Sequence, residues 1–334
     1  VAETVEHWRS RTPGTRTSDA PDPPGKTVPP LLVDVRRGGF LRPFRPGASD
    51  EVFLAVQQGC PYRCAYCYLH GLLKGFQPTH FLNPEALLQE LHAFLALPRS
   101  RGARIHAAHL GEIAPYEPVT GLCARVSRAL SLRPDITLEV RTKYHDPRAL
   151  WPAAAERNVL LTWTLTPARF ARAFEHGAPD TSARIRALGR AARRGARVGV
   201  RLDPVLPLPG WQRATEEMLE ELARTQTPIE DIHIGVFRLP QRGLAALRAL
   251  PSARRLLALE MVRTPDGMVR LFRPLREKVL GEALEIVRRI FGEGFPVRLC
   301  MEPSWMENRL GIPPSRRDAE GRAAKAADGG SSCP

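Results

Sequence analysis

Between residues 50 and 300, apolar runs alternate with segments whose apolar residues recur every three or four positions. The runs at 52–57, 104–109, 136–142, 159–165, 197–203 and 231–237 read as strands, each bounded by polar or turn-forming residues. Helices are predicted between them. After Asn83-Pro84, which read as cap and first turn, Leu87, Leu88, Leu91, Phe94 and Leu95 fall on one helical face. A second helix, over 181–194, turns Ile185, Leu188 and Ala192 inward and its arginines outward, and stops at Gly195. Strand–helix alternation predicts an α/β fold with a parallel sheet and right-handed crossovers. The pattern alone leaves open whether that sheet is doubly wound or a partial barrel. Residues 280–310 add a helix and a strand, Val297–Cys300.

The ends break this pattern. Residues 1–30 are polar and Pro-rich and read as a disordered arm, and 315–334 read as a disordered tail in which Cys333 is incidental. The organisation expected is an α/β unit over 31–245, a C-terminal extension over 246–314 packed on it, and the two tails. No apolar run reaches 18 residues, which excludes a membrane-spanning helix, and the first residues lack a secretory apolar stretch. The chain starts at Val1 rather than Met, as a processed, truncated or unusually encoded start would. Six cysteines without disulfide-like regularity point to a reducing, cytoplasmic compartment. Lys and Arg number 49 against 35 Asp and Glu, a net charge of +14, which favours nucleic acid or another polyanion as partner. An Arg- and Ala-rich composition alone gives the same excess.

Chemistry enters with Cys60, Cys64 and Cys67, in the run Gly59-Cys60-Pro61-Tyr62-Arg63-Cys64-Ala65-Tyr66-Cys67-Tyr68. The run directly follows the first strand, and a strand's carboxyl end is where such folds build active sites. Three soft sulfur donors suit zinc, Cu(I) or an iron–sulfur cluster. Closed clusters use four thiolates, so a [4Fe–4S] cube held by three keeps one iron open to a ligand. Zinc completed by His70 as a Cys3His site is the alternative, and three merely packed cysteines the plainest reading.

Beyond the bare spacing, the chain resembles a known family. Cys-x3-Cys-x2-Cys with an aromatic before the last cysteine is similar to the signature of radical S-adenosylmethionine enzymes. Within that superfamily the run resembles the spore photoproduct lyase-like group, a DNA repair photolyase type. Arg141-Thr142-Lys143-Tyr144-His145, the strand Leu161–Leu165, residues 199–211 and Val236-Phe237-Arg238 are similar to further segments of the group, so the resemblance spans roughly residues 50–240. It implies a partial (β/α)6 barrel, related to the TIM barrel. It also implies a [4Fe–4S] cluster on Cys60, Cys64 and Cys67, S-adenosyl-L-methionine as cofactor and an external one-electron reductant. The activity implied is carbon–hydrogen abstraction by a 5′-deoxyadenosyl radical, with a nucleic-acid substrate.

The same resemblance assigns residues at predicted strand ends. Tyr66, Gly111, Glu112, Lys143 and Thr164 match cofactor contacts, with Lys143 opposite the cofactor carboxylate and Tyr66 against adenine. Tyr68 lies beside the substrate, and Arg201, Asp203 and Arg238 close later strands. At one position the chain departs from the group. The cysteine that returns a hydrogen atom to the product radical is replaced by His109, and an imidazole is a proton shuttle rather than a hydrogen-atom donor. Cys123 and Cys300 are the thiols able to substitute if the fold brings either one near Tyr68. Two other functions fit the residues: the same radical chemistry on a non-nucleic-acid substrate, and a zinc-stabilised nucleic-acid-binding protein. Arg36, Arg37, Arg42 and Arg45, flanking the cysteine strand, are expected to contact phosphates.

Overall fold

A computed structural model describes residues 30–43, 51–73, 76–107 and 109–313; the arm, the tail, Arg45 and Cys333 fall outside this range. The central sheet has eight strands: β1 (Leu41–Pro43), β2 (Glu51–Leu54), β3 (Arg104–His106), β4 (Thr137–Thr142), β5 (Val159–Thr164), β6 (Arg197–Val205), β7 (Ile232–Val236) and β8 (Val297–Leu299). Their spatial order is their chain order, from β1 at one edge to β8 at the other. All neighbours pair in parallel except β1, which runs antiparallel to β2.

That order settles what periodicity left open. A doubly wound sheet reverses its strand order at a switch point. Here the order never reverses, so right-handed crossovers put every helix on one face, and the other face is covered only if the sheet curls. The curl is visible in side-chain reach. Arg104 on β3 donates to Asp231 at the start of β7 at 3.3 Å. In a flat sheet, strands four places apart would lie roughly 19 Å from one another. The sheet is therefore an open, curled half-barrel.

Alternation along each strand sorts the two faces. Outward positions such as Val52, Ile105, Leu138, Val140, Leu161, Trp163, Val200 and Ile234 are buried in the apolar core beneath the helices. Many inward positions are polar: Arg104, His106, Glu139, Thr162, Arg201 and His233. Glu139 gathers them, accepting from Arg201 twice at 2.5 Å, from Arg104 at 3.0 Å and from Thr162 at 2.9 Å. Burial alone would neutralise this carboxyl, but Arg201, His106 and Arg104 outweigh it and hold it well below the usual range.

Local corrections to the sequence reading are informative. The 52–57 run stops at Leu54, because Gln57–Gln58 leaves the barrel to pair with Thr79–Phe81. The strand predicted to reach 109 ends at His106. Helix α1 (Pro84–Leu95) buries Leu87, Leu91 and Phe94, but the Asn83 side chain does not cap it. It instead clasps the Arg36 backbone with both amide atoms, at 3.0 and 3.1 Å. Helix α2 (Leu122–Ala129) follows β3. Helix α3 (Thr181–Arg193), capped by Asp180, buries Ile185, Leu188 and Ala191 rather than Ala192. Its arginines do not all face outward: Arg184 is fully buried. Past helix α4 (Trp211–Arg224), a three-stranded antiparallel sheet joins Arg238–Pro240, Met268–Leu271 and Met261–Arg263. Helix α5 (Arg273–Phe291) then leads to β8, which joins the barrel sheet as a seventh parallel strand beside β7. No helix among the described residues is long and apolar enough to cross a membrane.

Candidate functional site

The cysteine loop leaves β2 through Gly59, whose φ of +83° and crowding both demand glycine. A Cβ there would lie 2.2 Å from the Gln77 carbonyl oxygen, and one on Gly111 would lie 2.7 Å from the Gly59 carbonyl. Gly59 and Gly111 form a parallel bridge, so the contact the structure gives Gly111 is close backbone approach, pinning the loop to the segment after β3. The loop is then tied at Cys60 N–H to Phe76 (3.1 Å), Ala65 N–H to Phe174 (2.8 Å) and Cys67 N–H to Cys64 (3.0 Å). A second close approach braces it, since a Cβ on Gly177 would meet the Tyr62 carbonyl oxygen at 2.6 Å.

Cys64 is buried and Cys60 and Cys67 are half-buried. Burial pushes the Cys60 thiol well up, and the nearby Cys64 and Cys67 push it further. Cys67 is pushed up to about 12, by burial and then by Cys64. Buried thiols whose ionisation is opposed in this way are a donor set that a cationic inorganic core would reverse. Among the described residues, no three His, Cys, Asp or Glu side chains converge tightly enough to hold a single metal ion. His70, the proposed fourth zinc ligand, turns Nε2 to the Cys64 carbonyl at 3.1 Å and packs its ring 4.5 Å from Phe76. With His70 Nε2 so engaged, the three sulfurs remain a donor set that an iron–sulfur cluster accepts.

Beside the sulfurs lies a buried charge cluster. Lys143, just past β4, places Nζ 2.7 Å from the Tyr66 oxygen, 3.1 Å from Glu175 Oε1 and 3.8 Å from Cys64 Sγ. The Tyr66 hydroxyl donates to Glu175, whose other oxygen accepts from Arg184. Burial works against the Lys143 charge, but Cys64, Glu175 and Tyr66 keep its pKa well above the usual lysine value. Glu112 is buried, its Oε1 accepting from the Thr142 hydroxyl (2.7 Å) and its Oε2 from the Lys143 backbone N–H (2.8 Å). Burial shifts its pKa upward. Thr164 at the end of β5 is buried, and its carbonyl accepts from Arg184 Nη1 at 3.2 Å.

A second group lines the barrel mouth. The Tyr68 hydroxyl donates to the His109 carbonyl, and the two rings lie 5.3 Å apart, with Phe53 on His109 at 4.9 Å. Burial, reinforced by Arg141, His106 and Arg238, lowers His109 to about 3, so its imidazole is neutral at ordinary pH. Arg238 grips Asp203 with two bonds of 2.9 and 3.1 Å and directs Nη2 to Cys300 Sγ at 3.3 Å. Arg201 Nη1 approaches the same sulfur at 3.9 Å. Burial and then Asp203 raise the Cys300 pKa, keeping it a thiol.

Arg238 joins Asp203 and Cys300 into one cluster, and Tyr68 and His109 form a pair through their rings. Cys123 is different. It lies on α2, its N–H donates to Glu117 at 3.0 Å, and the charges acting on its thiol are those of Glu117 and Glu112. Of the two candidate thiols, the fold sets Cys300 beside Arg201 and the Arg238–Asp203 pair, and Cys123 on α2 beside Glu117.

Sequence reasoning overlooked Glu175 and Arg184. Arg184 had a readable signal, since it shares helical spacing with Leu188 and Ala191, the buried stripe of α3. Glu175 had none, because it follows a short helix in a turn. Of the arginines near β1, Arg37 and Arg42 are exposed. Arg36 is half-buried, bonded to the Gly39 carbonyl at 2.8 Å, with its guanidinium 5.3 Å from the Phe81 ring centre.

A family model described as spore photoproduct lyase matches residues 26–242. The spore photoproduct lyase of Geobacillus sp. (strain Y412MC61) is 24% identical over 196 residues, 58% of this chain and 57% of that protein. That of Bacillus subtilis (strain 168) is 22% identical over 194 residues, 58% of this chain and 56% of its own. The matched region thus spans little more than half the length of these curated relatives. Among solved structures, a spore photoproduct lyase mutant with dinucleoside spore photoproduct superposes with a TM-score of 0.72 at 18% identity, covering 90% of this chain and 94% of that one. Another, with bound AdoMet and dinucleoside spore photoproduct, gives 0.69 at 19% identity, over 80% and 81%. At such identities the structural likeness speaks for the half-barrel fold.

Proposed function

Because the chain belongs to the spore photoproduct lyase family, we propose that it is a radical S-adenosylmethionine enzyme acting on a lesion in nucleic acid. The observation that carries this reading is the loop of three sulfurs, set at the mouth of a half-barrel beside Lys143 and Tyr66. Cys60, Cys64 and Cys67 would hold a [4Fe–4S] cluster, and Gly111, Glu112, Lys143, Tyr66 and Thr164 would surround S-adenosylmethionine. When bound, that pair would supply, with one electron from an external reductant, the chemistry of hydrogen abstraction by a 5′-deoxyadenosyl radical.

The chain's own residues orient and shield. Glu112 fixes the end of β4, and with it the Lys143 backbone, by accepting from Thr142 and Lys143. Tyr68 and His109 wall the mouth, and His109, neutral and packed between Phe53 and Tyr68, serves as a wall and not as a charge. The hydrogen-donating thiol of the family is absent at that position, and Cys300 is the substitute in this reading, because it stays protonated among Asp203, Arg238 and Arg201. In this reading the excess of positive charge serves phosphate contact, and the dinucleoside spore photoproduct bound by the solved relatives supports a dinucleotide lesion as the substrate class. A reducing, cytoplasmic setting suits such a centre.

His109 also supports a second reading, in which the same machinery acts on a substrate other than nucleic acid that needs no thiol at that position. One experiment separates the two. The chain is purified and reconstituted without oxygen, iron and sulfide are quantified, and electron spin resonance is recorded with and without S-adenosylmethionine. Methionine and 5′-deoxyadenosine are then assayed with ultraviolet-damaged and intact DNA. Cofactor-sensitive resonance and damage-dependent cleavage are expected. A centre indifferent to the cofactor, or none, overturns the enzyme reading; cleavage equal on both DNAs favours the second substrate class.

A further inference from the structure

Glu175 takes no part in the chemistry proposed above, yet it is the hub of the charges beside the sulfurs. Its Oε1 accepts from Lys143 Nζ at 3.1 Å, from Thr166 Oγ1 at 2.8 Å and from the Tyr66 hydroxyl. Its Oε2 faces Arg184, and both side chains of that pair are wholly buried. Arg184 is anchored in turn to the Pro179 carbonyl, at 2.9 and 2.7 Å, and to the Thr164 carbonyl. The turn carrying Glu175 is also bound to the cysteine loop through backbone, by the Ala65–Phe174 bond and the close contact of Gly177 with Tyr62.

An ammonium has three donors and no acceptor. Two of those of Lys143 meet Tyr66 and Glu175, and its remaining side faces Cys64 Sγ at 3.8 Å. A lysine is a point charge on a flexible stem, so without fixed partners it would not stay at one sulfur. Glu175 supplies that fixation directly and through Tyr66.

We propose that Glu175, anchored by Arg184, is a positioning residue that holds the Lys143 ammonium against Cys64 and so sets the reduction potential of a centre carried by the three cysteines. The proposal rests on the iron–sulfur reading. It gives Lys143 a task besides the cofactor contact implied by resemblance. Positive charge and hydrogen bonds at a ligating sulfur favour the reduced cluster.

The test is a redox titration, followed by electron spin resonance, of the reconstituted full chain. Lys143→Met lowers the midpoint potential, and Lys143→Arg, which keeps the charge, restores most of the shift. Made in a Glu175→Gln background, Lys143→Met lowers it far less, because the lysine no longer sits at the sulfur. No shift in the native background, or the same shift in both, overturns the proposal. If Glu175→Gln does not fold, the paired change Glu175→Met with Arg184→Met removes both buried charges together and takes its place. If the native chain assembles no iron–sulfur centre, the functional reading fails on its own, and hydrogen–deuterium exchange of the metal-free chain decides the positioning. Faster exchange at the Ala65 and Cys67 amides in the Glu175 variant supports it, and unchanged exchange overturns it.

Discussion

Lowering the pH from 7 to 5 should destabilise the metal-free chain, and the buried histidines set the scale. Burial is the first cause at all four: it lowers His80 and His233 to about 4, and His106 and His109 to about 3. The folded values lie below the unfolded one of about 6.5, so as pH falls past that point the unfolded chain takes up protons that the folded chain refuses. Stability is therefore complete above pH ~6.5 and is lost on the way down toward pH ~4 and then ~3. Each histidine contributes up to about 1.4 kcal/mol per pH unit, or about 5.6 for four of them. Glu112, Glu117 and Glu302, whose pKa values burial raises, act in the opposite direction. They can cancel at most three of the four protons, so the net loss near pH 5 is about 1.4–5.6 kcal/mol per pH unit. A domain's whole stability is about 5–15 kcal/mol, so the effect is measurable. Urea unfolding followed by circular dichroism at pH 7, 6 and 5 should show a falling midpoint, and His233→Gln should flatten the trend. A midpoint that is constant or rises toward pH 5 would refute the reasoning.

Other expectations follow from the same contacts. Glu139→Ala leaves Arg201 and Arg104 without their shared carboxylate and should cost about 3–5 kcal/mol in urea unfolding, since breaking a buried pair strands a charge. Cys300→Ala should abolish product formation while cofactor cleavage persists, and Cys123→Ala should leave both intact; the reverse pattern would move the donor to α2. If Cys300 delivers hydrogen less well than a thiol beside Tyr68, His109→Cys should raise lesion cleavage, read as product per methionine released. Replacing Arg37 and Arg42 together by Ala should reduce the salt dependence of DNA binding, and an unchanged slope would leave them as a solvated face.

Particular residues show where legibility stopped. The cysteine spacing was readable because local sequence alone brings three sulfurs onto one loop, and the family segments were readable for the same reason. Arg184 was readable and missed, since helical spacing put it on the buried stripe while its charge argued for solvent. The choice between Cys123 and Cys300 was not readable, because each sits on an apolar element and only distance to Asp203 and Arg238 distinguishes them. Nor was the place of Val297–Leu299, since an apolar strand can cap a sheet or extend it, and hydrogen bonding to β7 decides which.

By itself the sequence determined the strand and helix succession, the sulfur donor set and the family, all of which depend on neighbours within a few residues or on recurring local patterns. The tertiary structure decided that the sheet keeps chain order and curls. Curling turns Arg104, Glu139, Arg201 and Asp231 toward one another across the barrel. It also decided that Lys143 reaches Cys64 from 79 positions away along the chain. Side-chain alternation fixes two faces for every strand, but which face is enclosed depends on where the far strands go, and that is set by packing over the whole sheet.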